Sequence, residues 1–242
     1  MDTSRRSLKK FFLKYESPVK LCLTGLFNLV SAHHLISFQP MYKSKEIRWF
    51  SDQPDRSISE WFTRYGLNFE NIESRTDFYL PLEKDDVNIK LREGNIEVKH
   101  RISSPVLGKL SPNVKGLYEE WIKWSFGVNQ IDPVAQEIIS LNKYRWIATL
   151  KRRMGIKLKD LDGNRSPEIV PITEIIDCGC QVEYTKIGIN KKTYYTFALE
   201  WFGDPYPVLS ESFLENITEK IVLKSEDSMG YAQFLKKIQL SE

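Results

Sequence analysis

Between Val87 and Arg101 the chain reads VNIKLREGNIEVKHR, with polar residues alternating strictly with apolar ones. This spacing predicts a hairpin with Asn88, Lys90 and Arg92 on one face of its first strand and Val87, Ile89 and Leu91 on the other. After a Glu93-Gly94-Asn95 turn, Glu97, Lys99 and Arg101 oppose Ile96, Val98 and Ile102. Long cationic side chains interleaved with carboxylates suit an anion, because Arg matches phosphate oxygens in pairs and Lys supplies a point charge. The question is whether that charged face meets water or a ligand.

The same parity recurs along the chain. Eight strands are expected, at residues 44–50, 74–82, 87–93, 95–103, 115–128, 143–158, 177–188 and 193–202. Their polar positions are Glu46 and Arg48; Arg75 and Asp77; Lys90 and Arg92; Glu97, Lys99 and Arg101; Glu119 and Lys123; Lys151 and Arg153; Glu183; and Glu200. Their apolar positions include Ile47, Trp49, Phe78, Leu80, Ile122, Trp124, Ala148, Leu150, Phe197 and Leu199. Helices with one apolar side are expected at 57–65, 133–141, 211–223 and 228–238, started by Asp132-Pro133 and Ser210 in two cases. Those helices need an apolar surface, and the outer faces of the strands supply it.

The expected fold is therefore α+β: an eight-stranded antiparallel β-barrel, or tunnel, with a charged interior and helices outside. Nine basic and six acidic side chains would line it, an excess of three positive charges. Burying so many charges is costly unless they are paired, hydrated or matched to an ionic guest, and an anion fits the surplus. An open sheet with a solvated charged face is the alternative.

Composition agrees with a folded body, at 41% hydrophobic and 12% aromatic over 242 residues. The net charge of +3 is unevenly placed: residues 1–43 carry seven basic residues against Asp2 and Glu16, leaving −2 for the rest. A near-neutral body argues against DNA as a partner. Single-stranded nucleic acid is a third reading, resting on Lys151-Arg152-Arg153 with Trp121, Trp124 and Trp146. Residues 1–42, a basic lead followed by the apolar segment 21–38, read as an extension outside the fold of 43–242. They are an appended leader with Met41 as initiator, a membrane-surface helix, or a helix packed on the body. Three cysteines imply no disulfide framework and a cytoplasmic setting, and Cys178-Gly179-Cys180 reads as packing. His100, on an apolar parity, gives no support to Ser/His/Asp chemistry.

These residues together resemble the CYTH, or triphosphate tunnel metalloenzyme, superfamily over residues 44–203. The resemblance rests on Glu46-Ile47-Arg48, Thr76 to Leu80, Ile89 to Arg92, Glu97 to Arg101, Glu119 with Lys123, Lys151 to Arg153, Glu183 and Glu200. It implies binding of a triphosphate or other polyphosphorylated compound. Arg48, Lys90, Arg92, Lys99, Arg101, Lys123, Lys151 and Arg153 would hold the phosphates. It further implies hydrolysis aided by Mg2+ or Mn2+ on Glu46, Glu183 and Glu200, with Glu46 and Glu200 the catalytic carboxylates. The chain departs from the family's ExExK signature, placing Arg48 and Phe50 where the second acid and the lysine stand. The alternative is a binding module of the same fold that takes the anion without a metal, Arg48 standing in for the cation.

Overall fold

The structure, a computed structural model, describes residues 42–128, 133–137, 145–159, 167–218 and 221–240. The extension at 1–41, Cys22, Asp132, the far end of the helix expected to reach Leu141, the start of the strand expected from Lys143 and most of the loop 160–171 lie outside these residues.

Ten strands form one antiparallel sheet: β1 Tyr42–Ser51, β2 Arg75–Leu80, β3 Val87–Arg92, β4 Asn95–Arg101, β5 Val106–Ser111, β6 Val114–Gly127, β7 Ile147–Lys159, β8 Glu168–Pro171, β9 Gly179–Ile189 and β10 Lys192–Phe202. Eight of them follow the order β1-β10-β9-β7-β2-β3-β4-β6, and β6 returns to pair with β1 and close the cylinder. All eight are strands that the alternation predicts, with ends moved by a few residues. β5 and β8 are additions: short strands that pair only with β6 and β7 and take no part in the ring. β8 lies in the stretch between the sixth and seventh expected strands, where the alternation predicts none.

The β3–β4 connection is tighter than the sequence suggests. Arg92 pairs with Asn95, leaving a two-residue turn in which Glu93 and Gly94 both have positive φ, at 47° and 77°. That is the turn whose twist suits a hairpin, and glycine makes its second position inexpensive.

The helices are α1 Arg56–Thr63, the four-residue α2 Pro133–Gln136, α3 Glu211–Thr218 and α4 Tyr231–Gln239. Asp55 caps α1 by accepting from the Ile58 amide, and Ser210 does the same for Phe213 at α3. α3 ends sooner than its periodicity predicts, and residues 221–223 are not helical. Ile58, Trp61 and Phe62 of α1 join Ile217 of α3 and the outward residues Ile47, Trp49, Val182, Tyr184, Phe197 and Leu199 in the main core. The helices thus dock on the apolar outer wall, as amphipathic faces require. α4 differs. Its Phe234 and Leu235 pack with Phe50, Tyr79 and Ile187, which have the inward parity of their strands, and Phe234 stacks on Phe50 at 3.9 Å. α4 therefore caps one end of the barrel. Among the described residues, no helix is long and apolar enough to cross a membrane.

Candidate functional site

Strand parity carries one side chain in two from each ring strand toward the barrel axis, and there the charged residues converge. They border a cavity of about 300 Å³. Eight cations line it (Arg48, Arg75, Lys90, Arg92, Lys99, Lys123, Lys151, Arg153) against four carboxylates (Glu46, Glu97, Glu183, Glu200). Asp77 lies fully buried behind them, 3.1 Å from Arg75 and 3.0 Å from Lys151. Of the residues expected to hold phosphate, only Arg101 is absent from the lining. It pairs instead with Glu119 at 2.6 Å and Asp85 at 3.3 Å, away from the cavity lining.

The carboxylates are held by cations within the wall. Glu183 sits 2.9 Å from Arg48 and 3.3 Å from Arg153. Glu46 sits 3.3 Å from Arg48 and 3.5 Å from Lys99, and Glu200 sits 3.2 Å from Lys99. Burial alone would push the Glu183 carboxyl upward, but the two guanidiniums hold it well below the ordinary range. Burial likewise opposes charge on Lys99, yet Glu200 and Glu46 hold its ammonium above the usual lysine value. Against the same burial, Lys90 and Lys123 bring Glu97 down to about 2.

The geometry bears directly on a divalent ion. Glu46 and Glu183 face the Arg48 guanidinium, while Glu46 and Glu200 face the Lys99 ammonium, so protein cations occupy the space between the three carboxylates. Among the described residues, no three His, Cys, Asp or Glu side chains are grouped to share a metal ion. As arranged, Glu46, Glu183 and Glu200 do not fit a magnesium or manganese shell, which needs open oxygen ligands.

Two lysines stand apart from this pairing. Lys123 lies directly opposite Lys99 across the β4–β6 ladder and has no carboxylate within ion-pair distance among the described residues. Its ammonium rests 4.8 Å from the Tyr42 ring instead. Like charges in facing positions repel, and burial followed by Lys99 lowers its pKa against the opposing pull of Glu97 and Glu200. Lys151 is 5% exposed and, among the described residues, pairs with Asp77 alone of the carboxylates. It donates a hydrogen bond to the Tyr79 hydroxyl and lies 3.9 Å from the centre of the Tyr231 ring. Burial, reinforced by Lys90 and Arg75, pulls its pKa down to about 7 despite Asp77.

The alternation identified charged residues and passed over the aromatic and neutral ones between them. Tyr79 shares parity with Arg75 and Asp77, and Trp121 with Glu119 and Lys123; both line the cavity, as do Tyr42, Gln181, Thr185 and Tyr231. Parity alone would have found all but Tyr42, which precedes the first expected strand, and Tyr231, which arrives on α4. The basic run 151–153 is split between faces. Lys151 and Arg153 turn inward, while Arg152 turns away and donates to the Phe69 carbonyl. Cys180 is buried in the main core, and Cys178 is exposed. No protein-family model matches the chain, and no curated protein matches it.

Proposed function

We propose that this protein is an anion-binding module whose barrel takes a polyphosphorylated compound without a divalent metal. The observation that carries this reading is Lys123: a cation on the cavity wall that faces a second lysine and has no carboxylate within ion-pair distance among the described residues, the acids that act on it, Glu97 and Glu200, being paired to Lys90 and Lys99. An anion bound between Lys123 and Lys99 would turn a repulsive pair into two charge-assisted contacts. The eight-to-four excess of cations supports the same reading, and so does the position of Arg48, which neutralises Glu46 and Glu183 from within. The proposal includes the likeness to CYTH tunnels, with Arg48 and Phe50 marking a branch in which binding has outlasted metal-assisted hydrolysis.

Titration calorimetry with tripolyphosphate, pyrophosphate and sulfate, each with and without EDTA, tests the proposal. Micromolar tripolyphosphate binding indifferent to EDTA is the expected result. Binding that requires magnesium, with phosphate released from tripolyphosphate or ATP, would favour the metal-dependent hydrolase instead. Absence of binding by every anion would reject the module.

The pH dependence has a definite sign. With the Lys151 pKa at about 7 in the free protein, an adjacent anion favours the ammonium form and raises that value, so binding takes up a proton above pH 7. Affinity for sulfate, which does not itself titrate in this range, should fall as pH rises from 7 to 9, approaching about tenfold per unit at the steepest point. Calorimetry in buffers of different ionisation heat would measure the proton directly; a flat profile would remove Lys151 from the binding set.

A further inference from the structure

Lys151 is arranged for more than charge. Its nitrogen lies on the cavity wall, against the faces of Tyr231 and Tyr79 and bonded to the Tyr79 hydroxyl, with Asp77 behind it. Arg75 is its cross-strand neighbour on β2, and Lys90 and Arg153 line the same cavity. A desolvated amine beside other cations, with a hydroxyl in hydrogen-bond contact and anion-binding groups around it, has the parts of an imine-forming lysine. We propose that Lys151 condenses with the carbonyl group of a phosphorylated aldehyde or ketone whose phosphate rests among the neighbouring cations. This deepens the anion-binding reading and rests on it.

In the step, the nitrogen lone pair attacks the carbonyl carbon and the C=O π pair moves to oxygen. The nitrogen loses a proton and the oxygen gains one, giving the carbinolamine, with the Tyr79 hydroxyl in reach of the nitrogen to relay it. A second proton lets the oxygen leave as water while the nitrogen lone pair forms C=N, and the iminium so formed returns that proton from its nitrogen, so amine and carbonyl yield imine and water with no oxidant or reductant. The groups that set the charge of Lys151 are Asp77, Arg75 and Tyr79 of β2, Lys90 of β3, Glu183 of β9 and Tyr231 of α4. Their combined effect, with burial the largest, leaves much of the amine neutral at pH 7.

The test uses the full chain with pyridoxal 5′-phosphate as the probe. Cyanoborohydride fixes any imine, and peptide mapping locates it. The inference expects saturable labelling of Lys151, faster at pH 7 than exposed lysines such as Lys109 and Lys192 by at least about tenfold, since ordinary lysines are almost wholly protonated there. Tripolyphosphate should suppress it, pyridoxal without the phosphate should label far more slowly, and Lys151→Arg should lose the adduct. If that variant does not fold, the site and pH profile of labelling in the unaltered protein decide the question. Adducts spread over surface lysines, or equal labelling by pyridoxal, would overturn the inference. A Lys151 that stays unmodified while tripolyphosphate binds would overturn it too, leaving the anion-binding reading standing. Failure of tripolyphosphate to bind at all would remove both.

Discussion

Replacing Arg48 by methionine is expected to destabilise the fold by about 3 to 5 kcal/mol, the usual cost of removing one partner from a buried ion pair. The side chains involved leave little room for rescue by water: Arg48 is 6% exposed and Glu183 7%. Glu183 would keep Arg153, but Glu46 would depend on Lys99, whose charge is shared with Glu200. Urea or thermal unfolding measures the loss, which corresponds to a melting temperature lower by roughly 6 to 20 °C in a chain of this size. The double variant Arg48→Met with Glu183→Gln should recover part of the deficit, because the uncompensated carboxylate is then neutral. If Arg48→Met alone unfolds like the parent, the guanidinium does not neutralise these carboxylates in the way described. Acid supplies a parallel check. Glu183 has a folded pKa held below its unfolded value, so its contribution is present above about pH 4.5 and lost as pH falls below it. Glu183→Gln should flatten that part of the stability profile.

Lys123→Met should act in the opposite direction on stability while damaging function. In the unbound protein Lys123 faces Lys99 and is largely buried, so losing its charge relieves that repulsion and the burial cost, which outweigh its attraction to Glu97 and Glu200 beyond ion-pair distance, and adds an apolar side chain of similar length. The variant should match or exceed the parent in unfolding free energy. Its affinity for tripolyphosphate should nevertheless fall about tenfold to a hundredfold, the loss of one charge-assisted contact worth roughly 1.5 to 3 kcal/mol. Arg92→Ala should weaken binding in the same assay, since Arg92 lines the cavity, whereas Arg101→Ala should cost stability through Glu119 and leave the cavity lining intact. A stabilised Lys123→Met that binds tripolyphosphate as tightly as the parent would mean that the facing lysines serve no anion.

Much of this was legible in the residues, for a reason specific to barrels. Parity is the whole code for inside and outside in a strand, so Lys90, Lys99, Lys151 and Glu183 could be assigned a face before any pairing was known. What parity cannot supply is partnership. Glu183 and Arg48 are 135 positions apart, and only the β1–β10–β9 register brings them to 2.9 Å. Arg48 therefore read as a phosphate ligand or a stand-in for a cation with no acids named for it, when it pairs with Glu46 and Glu183. Tyr79 and Trp121 were hidden by their chemistry, because an aromatic residue in a strand is ordinarily core and their neighbours had already named the face. β5 and β8 left weak signals because short strands outside the ring bury too little to need a regular pattern.

The seam of the cylinder is β1, which pairs on one side with β6 and on the other with β10. A growing polypeptide exposes its first barrel strand long before the last one exists, so the enclosure cannot seal until residue 202 has left the ribosome, and α4 can seat only after that. Contacts so distant in sequence make acquisition of the native state slow, on the order of milliseconds to seconds. Through that interval the ionic lining lies open to water, and hydration spares the nascent chain the desolvation cost that the finished protein must meet with its own counter-charges.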